Sequence, residues 1–206
     1  MHNKSRKFKN IQLIRRGIMK DLETKNLKIR KFKISDANDV HKYLATEEKL
    51  ADCLDYNIHK NIEETNTMIL SYIKEYEMNE LVWAIEEKAT NKVIGFINAQ
   101  EVSKTNKSCR IKFGIALKWV NTGYMEEALE KVLEYLFEEK KFYIVISNFY
   151  DGNKELTQIK EKMLQAVGMR KEACLRNRRI NQKNGRSENK VIYSITQDEF
   201  AQSKEN

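Results

Sequence analysis

The sequence contains no proline and only seven glycines in 206 residues. Breaks between elements therefore fall to Asn, Asp, Ser and those few glycines. Cysteine is scarce as well. Cys53, Cys109 and Cys174 are widely spaced, odd in number and form no CxxC. With only His2, His41 and His59 beside them they build no zinc pattern, so no metal is expected. Reduced thiols in a cytoplasmic protein are the plain expectation. No apolar run approaches the roughly 20 residues needed to span a bilayer. No apolar segment of secretory type stands near the start. A membrane partner is therefore not expected.

What is present is charge and a core. The chain is 41% hydrophobic and 33% charged, which suits one globular unit with a sizeable interior. The net charge of +8 suggests nucleic acid, but its distribution argues against it. Lys4, Arg6, Lys7, Lys9, Arg15, Arg16 and Lys20 supply all but one of those net charges, with no acid among residues 1–20. The basicity describes a tail, so nucleic-acid binding is not expected except through that tail. Two readings of residues 1–18 stay open. They are a flexible basic arm, or Met19 is the natural start. Arg15, Arg16 and Gly17 can be encoded by purine-rich triplets resembling a bacterial ribosome-binding site. We expect the domain to occupy 19–200, with 201–206 as a short tail.

Apolar spacing gives an order of elements. A first strand covers 27–32, then Ser35 offers an N-cap for Ala37, Val40 and Leu44. Residues 46–60 read as a loop or irregular helix. A helix from Asn61 carries Ile62, Thr65, Ile69, Tyr72, Ile73 and Tyr76 on one face. Three strands follow at about 81–86, 93–102 and 110–117. The clearest helix is 124–139, where Met125, Ala128, Leu129, Val132, Leu133, Leu136 and Phe137 form an apolar stripe. A strand at 142–149 leads to a helix that Gly168 stops. Two final strands, about 170–180 and 190–196, are joined through Asn184 and Gly185. The order β-α-α-β-β-β-α-β-α-β-β requires an α+β sheet with helices packed on its faces.

The chemistry concentrates where a strand meets that clearest helix. The run is Trp119, Val120, Asn121, Thr122, Gly123, Tyr124, Met125, Glu126, Glu127, Ala128 and Leu129. A polar loop with Gly at a helix N-terminus presents free backbone N–H groups and the positive end of the helix dipole. That combination suits a pyrophosphate.

Residues 22–200 resemble the GCN5-related N-acetyltransferase (GNAT) superfamily, in the branch of the ribosomal-protein N-terminal acetyltransferases. Leu22, Thr24, Leu27, Ile29, Arg30, Asp36 and Ala37 match that branch's opening, with Asn26 where Arg is usual. A segment at 59–65, then Val93, Ile94 and Gly95, follow in order. Val120 through Leu129 align without gaps with the coenzyme loop. Leu175, Arg176, Asn184, Gly185, Arg186, Ile192, Tyr193, Ser194, Ile195, Asp198, Glu199 and Phe200 echo the end of the fold.

The resemblance implies a central mixed, mostly antiparallel sheet of about six to seven strands flanked by helices. It implies acetyl-coenzyme A as cosubstrate, and an amine acceptor that is a protein N-terminus or a small molecule. It implies a monomer or homodimer. The coenzyme's pantetheine arm would pair with backbone near Phe113, Gly114 and Ile115, and its pyrophosphate would lie on Asn121, Thr122, Gly123, Tyr124 and Met125. An Asn near the coenzyme corresponds to Asn153 counted from the preceding strand, or to Thr157 counted back from Gly168; we expect Asn153. Glu101 aligns with a frequent family acid and is the expected base. No Tyr occurs in 151–167, so Ser147 or a water would serve as acid.

The departures from the family are as informative. Asn121 stands for the usual Gly, Thr122 for Lys and Glu126 for Thr; Arg110 and Lys112 stand where the branch often has an acid and a Gly. They leave an alternative: a diverged binding or regulatory module with the same fold. Asp52, Asp55 and His59 lie on the stretch that resembles the family's acceptor side. Arg176, Arg178, Arg179, Lys183, Arg186 and Lys190 make the last hairpin basic, as a solvated edge or as a surface for an acidic partner.

Overall fold

The computed structural model describes residues 19–54, 56–76 and 81–205. The basic stretch 1–18 and Asp55 lie outside the described residues.

Eight strands form one sheet, in the order β1-β2-β3-β4-β5-β6-β8-β7. They are β1 (Leu22–Glu23), β2 (Leu27–Arg30), β3 (Leu81–Glu87), β4 (Lys92–Ser103), β5 (Ser108–Ile115), β6 (Ile144–Tyr150), β7 (Arg170–Ile180) and β8 (Ser187–Thr196). Every neighbouring pair is antiparallel except β5 with β6. The count exceeds the expected six to seven because the first strand is a small hairpin. Thr24 N–H donates to the Leu27 carbonyl and folds β1 back on β2.

The helices are α1 (Ala37–Val40), α2 (Glu48–Leu54), α3 (Ile62–Glu75), α4 (Tyr124–Glu134), α5 (Lys154–Ala166) and α6 (Gln197–Glu205). α2 lies in the stretch read as loop or irregular helix. α4 runs into a π-helical turn, Tyr135–Glu139, in which Tyr135, Leu136 and Phe137 are all buried. Three successive residues on an α-helix point about 200° apart in total, so they reach the core only if two surfaces cover the helix end. α6 supplies the second: Phe137 and Phe200 rings lie 5.3 Å apart.

Side chains alternate across the central strands. Phe96, Asn98 and Lys112 face α1 and α3. Phe113 faces α5, where Lys160 Nζ lies 4.9 Å from its ring.

The opening motif has a structural reason. Arg30 is buried at the end of β2. It donates to Asp36 at 2.8 and 2.9 Å, to Glu86 at 2.7 Å and to the Lys31 carbonyl at 2.9 Å. Asp36 also accepts from Lys33 N–H, so the same carboxylate starts the turn into α1. Burial pushes the Glu86 carboxyl up, but Arg30 and Lys28 outweigh it and hold it below its usual range. Met19 is buried in the core, and Trp83 Nε1 donates to the Lys20 carbonyl, so packing extends to Met19.

Candidate active site

β5 and β6 pair in parallel only from Ser108 and Ile144 to Ile111 and Ser147. Beyond that point β5 follows β4 and β6 follows β8, so the two strands part. Ser147 Oγ donates to the Ile111 carbonyl at 3.2 Å and closes the last rung. Ala116 N–H donates to Ile94 of β4 at 2.8 Å. Backbone groups alternate along a strand, so Gly114 also faces β4. Phe113 and Ile115 therefore turn their N–H and C=O toward the opening that β6 has left.

The opening is filled by side chains. Leu50 and Leu54 enter from α2; Leu156, Ile159, Lys160 and Met163 enter from α5. The remaining cavity is about 30 Å³, room for about one water. A Cβ on Gly114 would fall 2.6 Å from Leu54 Cδ1 and 3.0 Å from Phe96 Cε1, which is why glycine stands there. Lys160 is 7% exposed, with its ammonium 4.9 Å from the Phe113 ring and 5.0 Å from the Phe149 ring. Sequence reading missed Lys160. The signal was its place in the stripe of Leu156, Lys160 and Met163, at i, i+4 and i+7.

The loop after β5 begins with a 3₁₀ turn, Leu117–Trp119, and is pinned by Trp119. Its indole N–H donates to Glu87 at 3.1 Å and its ring meets Tyr43 edge-on at 5.2 Å. Asn121 has φ 67° and Gly123 φ 81°. Asn is among the residues that tolerate this left-handed region, so Asn121 preserves the turn that glycine gives elsewhere in the family. Thr122 Oγ donates to the Trp119 carbonyl at 2.7 Å and accepts from Tyr124 N–H at 3.3 Å. The first bond of α4 runs from Glu127 N–H to the Gly123 carbonyl. The N–H groups of Gly123, Met125 and Glu126 have no acceptor among the described residues. The Met125 side chain is fully buried and anchors the helix start. Glu127 accepts from the backbone and side chain of Asn26 at 2.9 and 2.8 Å. Glu126 Oε2 is buried without a partner among the described residues.

Asn153 is the N-cap of α5 and accepts from Leu156 N–H at 3.1 Å. One turn on, Thr157 Oγ1 is buried and has no partner among the described residues. Glu101 sits on an irregularity of β4 with φ 51°. Its side chain is 68% exposed and is paired with Arg110 at 2.6 Å. The hydrogen bond from Arg110 lowers its pKa, so it stands ionised at neutral pH. Arg110 also donates to Gln100. His59 Nδ1 and His41 Nδ1 both meet Thr65 Oγ1, at 2.8 and 2.9 Å. Burial lowers the His59 pKa.

The basic hairpin folds over α2. Arg179 pairs with the buried Glu188, stacks 4.1 Å above Tyr150 and donates to the Asp52 carbonyl. Lys183 pairs with the Asp52 carboxylate at 2.6 Å. Two of the six basic residues are thus spent on holding the hairpin to α2. Among the described residues, no cluster of His, Cys, Asp or Glu could hold a metal, and no helix is long and apolar enough to cross a membrane.

The comparisons with known proteins bear on the family and the fold. A family model for the acetyltransferase (GNAT) domain matches residues 26–163. An uncharacterized N-acetyltransferase of Bacillus subtilis, YoaA, is 23% identical over 175 residues, covering 84% of this chain and 95% of the relative. Among solved structures, the ribosomal-protein-S5-alanine acetyltransferase of Vibrio fischeri superposes with a TM-score of 0.73 at 16% identity, over 88% of this chain and 99% of that one. The spermidine N-acetyltransferase of Vibrio cholerae, solved with CoA and spermine, gives 0.70 at 18% identity, over 86% and 99%. With its parted parallel strands, its left-handed turn before α4 and a family match over two thirds of its length, this chain belongs to the GNAT acetyltransferases.

Proposed function

We propose that the chain moves an acetyl group from acetyl-coenzyme A to a primary amine at the opening between β5 and β6. The observation that carries this reading is the β5 edge at Phe113 and Ile115, whose backbone groups no strand among the described residues covers. That edge fits an amide-containing arm such as pantetheine. The N–H groups of Gly123, Met125 and Glu126, beside Asn121, Thr122 and Tyr124, fit the pyrophosphate. The buried Thr157 hydroxyl, one turn beyond Asn153, supplies a further polar contact.

Two features oppose ready binding. The Glu126 carboxylate adds negative charge at the helix N-terminus, and the arm needs more room than about 30 Å³. Leu50 and Leu54 of α2 therefore move aside when the arm enters. When bound, the coenzyme supplies an activated thioester.

The chain's own residues do the rest. Backbone N–H at Phe113 or Ile115 polarises the carbonyl. The ionised Glu101 attracts the incoming ammonium and takes its proton through water. The Ser147 hydroxyl at the fork is buried and donates to the Ile111 carbonyl, so a water carries the proton released by the amine to the leaving thiolate. The acceptor is a protein N-terminus or a small amine; proteins that share the fold are named for a ribosomal-protein alanine and for spermidine.

The loop chemistry is tested by charge. Thr122→Lys adds a cation and Glu126→Thr removes a carboxylate. Each changes the charge at the helix N-terminus, worth about 0.3–1 kcal/mol, so each should lower the coenzyme Kd a few-fold, with the gain shrinking at high salt. Calorimetric titration of both variants at two salt concentrations measures this. Unchanged affinity in both would remove the loop from the site.

A further inference from the structure

A second cavity, of about 120 Å³, lies on the α1 and α3 face of the sheet. Its walls are Phe32, Leu44, Tyr56, Met68 and Tyr72; its floor is Phe96, Asn98 and Gln100 of β4 and Lys112 of β5, with His59 at its edge. The floor neighbours the coenzyme opening along β4 and β5. Phe96 pairs with Gly114, and Asn98 pairs with Lys112 one step further along the same face. Two residues on a strand span about 6.6 Å, so the cavity begins within one side chain's reach of Gly114. Phe96 is the partition, since its ring lies against the position a Gly114 Cβ would take.

The cavity is mostly apolar, with Asn98, Gln100, His59 and Lys112 as its polar lining, and one acceptor in it is unmet. Asn98 is 7% exposed, and its Oδ1 is buried with no hydrogen-bond partner among the described residues. Leaving a buried acceptor unsatisfied is costly, and a donor brought by a ligand would relieve it. The volume is close to the roughly 150 Å³ that holds a benzene ring in an engineered apolar cavity. His59, whose Nδ1 is tied to Thr65, is held neutral by burial and places no cation there.

We propose that this cavity is the selectivity pocket for the acceptor. It takes a large apolar side chain, aromatic or branched aliphatic, and Asn98 accepts a hydrogen bond from the adjoining amine or amide N–H. The substrates are therefore α-amino compounds or peptide N-termini with leucine-like or phenylalanine-like side chains. Acceptors with a methyl or hydroxymethyl side chain leave the cavity empty, and a polyamine brings charge into it. This inference rests on the acetyl-transfer reading, and its test separates the two.

Leucinamide, phenylalaninamide, alaninamide and spermidine are compared in two assays with the full chain. The first is the shift in melting temperature without coenzyme. The second is kcat/KM for thiol release from acetyl-coenzyme A. Burying such a side chain discriminates on the order of 10- to 100-fold. Leucinamide or phenylalaninamide should exceed alaninamide by at least about tenfold in kcat/KM, and they alone should raise the melting temperature. Asn98→Leu removes the acceptor atom and Met68→Trp fills the space. The Asn98 variant should lower kcat/KM for leucinamide, phenylalaninamide and alaninamide alike, and the Met68 variant should abolish the preference among them, while the coenzyme Kd stays the same in both. Equal use of all four amines, or preference for spermidine, would overturn the pocket assignment and leave acetyl transfer standing. Absence of coenzyme binding, with the leucinamide shift intact, would overturn the transfer reading and keep the pocket. A flat melting temperature for every amine, with no preference in turnover, would sink the proposal.

Discussion

Valine at position 123 should weaken coenzyme binding by about 10- to 100-fold while the protein stays folded. Gly123 holds φ 81°, and no atom lies within 4 Å of the position a Cβ would occupy. Space is therefore not the obstacle; backbone conformation is. A β-branched residue in the left-handed region costs about 1–3 kcal/mol. The loop relieves that strain by rotating out of the turn, and the N–H groups of Gly123 and Met125 lose their shared direction. Each 1.4 kcal/mol lost from binding is tenfold in Kd. Gly123→Asn is the control, because Asn121 already holds φ 67° two residues earlier. The asparagine variant should bind within a few-fold of the wild type. A valine variant with a lowered melting temperature and unchanged Kd would mean the loop is only a helix start.

Arg30→Met should be the most damaging single change to stability. Its removal leaves Asp36 and Glu86, 5% and 7% exposed, buried without their shared cation. Breaking a buried pair in this way costs about 3–5 kcal/mol. For a chain of this size that corresponds to a fall in melting temperature on the order of 10 °C. The pH dependence has a definite sign. In the wild type Glu86 is held below its usual pKa of 4.5, so its contribution is present above that value and lost as pH falls further. Without Arg30, burial of the Glu86 carboxyl is opposed only by Lys28, so Glu86 becomes easier to protonate. The deficit of the variant should then shrink as pH falls from 7 toward 5. A deficit that stays constant, or falls below about 1 kcal/mol, would show that this network does not hold α1 to the sheet.

These two positions show what the sequence disclosed. Gly123 was legible as the break before a strong amphipathic stripe, and it stands there with φ 81°. Arg30, Asp36 and Ala37 were legible only as a matching pattern; that they are a buried ion pair and a helix start appears once Glu86 arrives from β3. Glycine at 168 ends α5 with φ 82°, as its place after the stripe implied. The break at Thr24–Asn26 was not legible. Leu22 is followed by four polar residues before Leu27, and a two-residue strand leaves no periodicity. The filling of the β5–β6 opening was not legible either, because Leu54 and Lys160 lie over a hundred residues apart. Arg110 and Lys112 looked like losses of family character that favoured a non-catalytic module. Arg110 is matched by Glu101 and Gln100, and Lys112 forms part of a cavity floor. The family match over 26–163 favours the enzyme.

Titration of acetyl-coenzyme A into the full chain tests the central claim most directly. Binding at one site should give a saturable heat at 1:1 stoichiometry. The melting temperature should climb with the logarithm of ligand concentration above Kd. Leu54→Ala, which opens the space at Gly114, should bind at least as tightly as the wild type. No heat and no thermal shift at millimolar coenzyme, in either protein, would contradict the account.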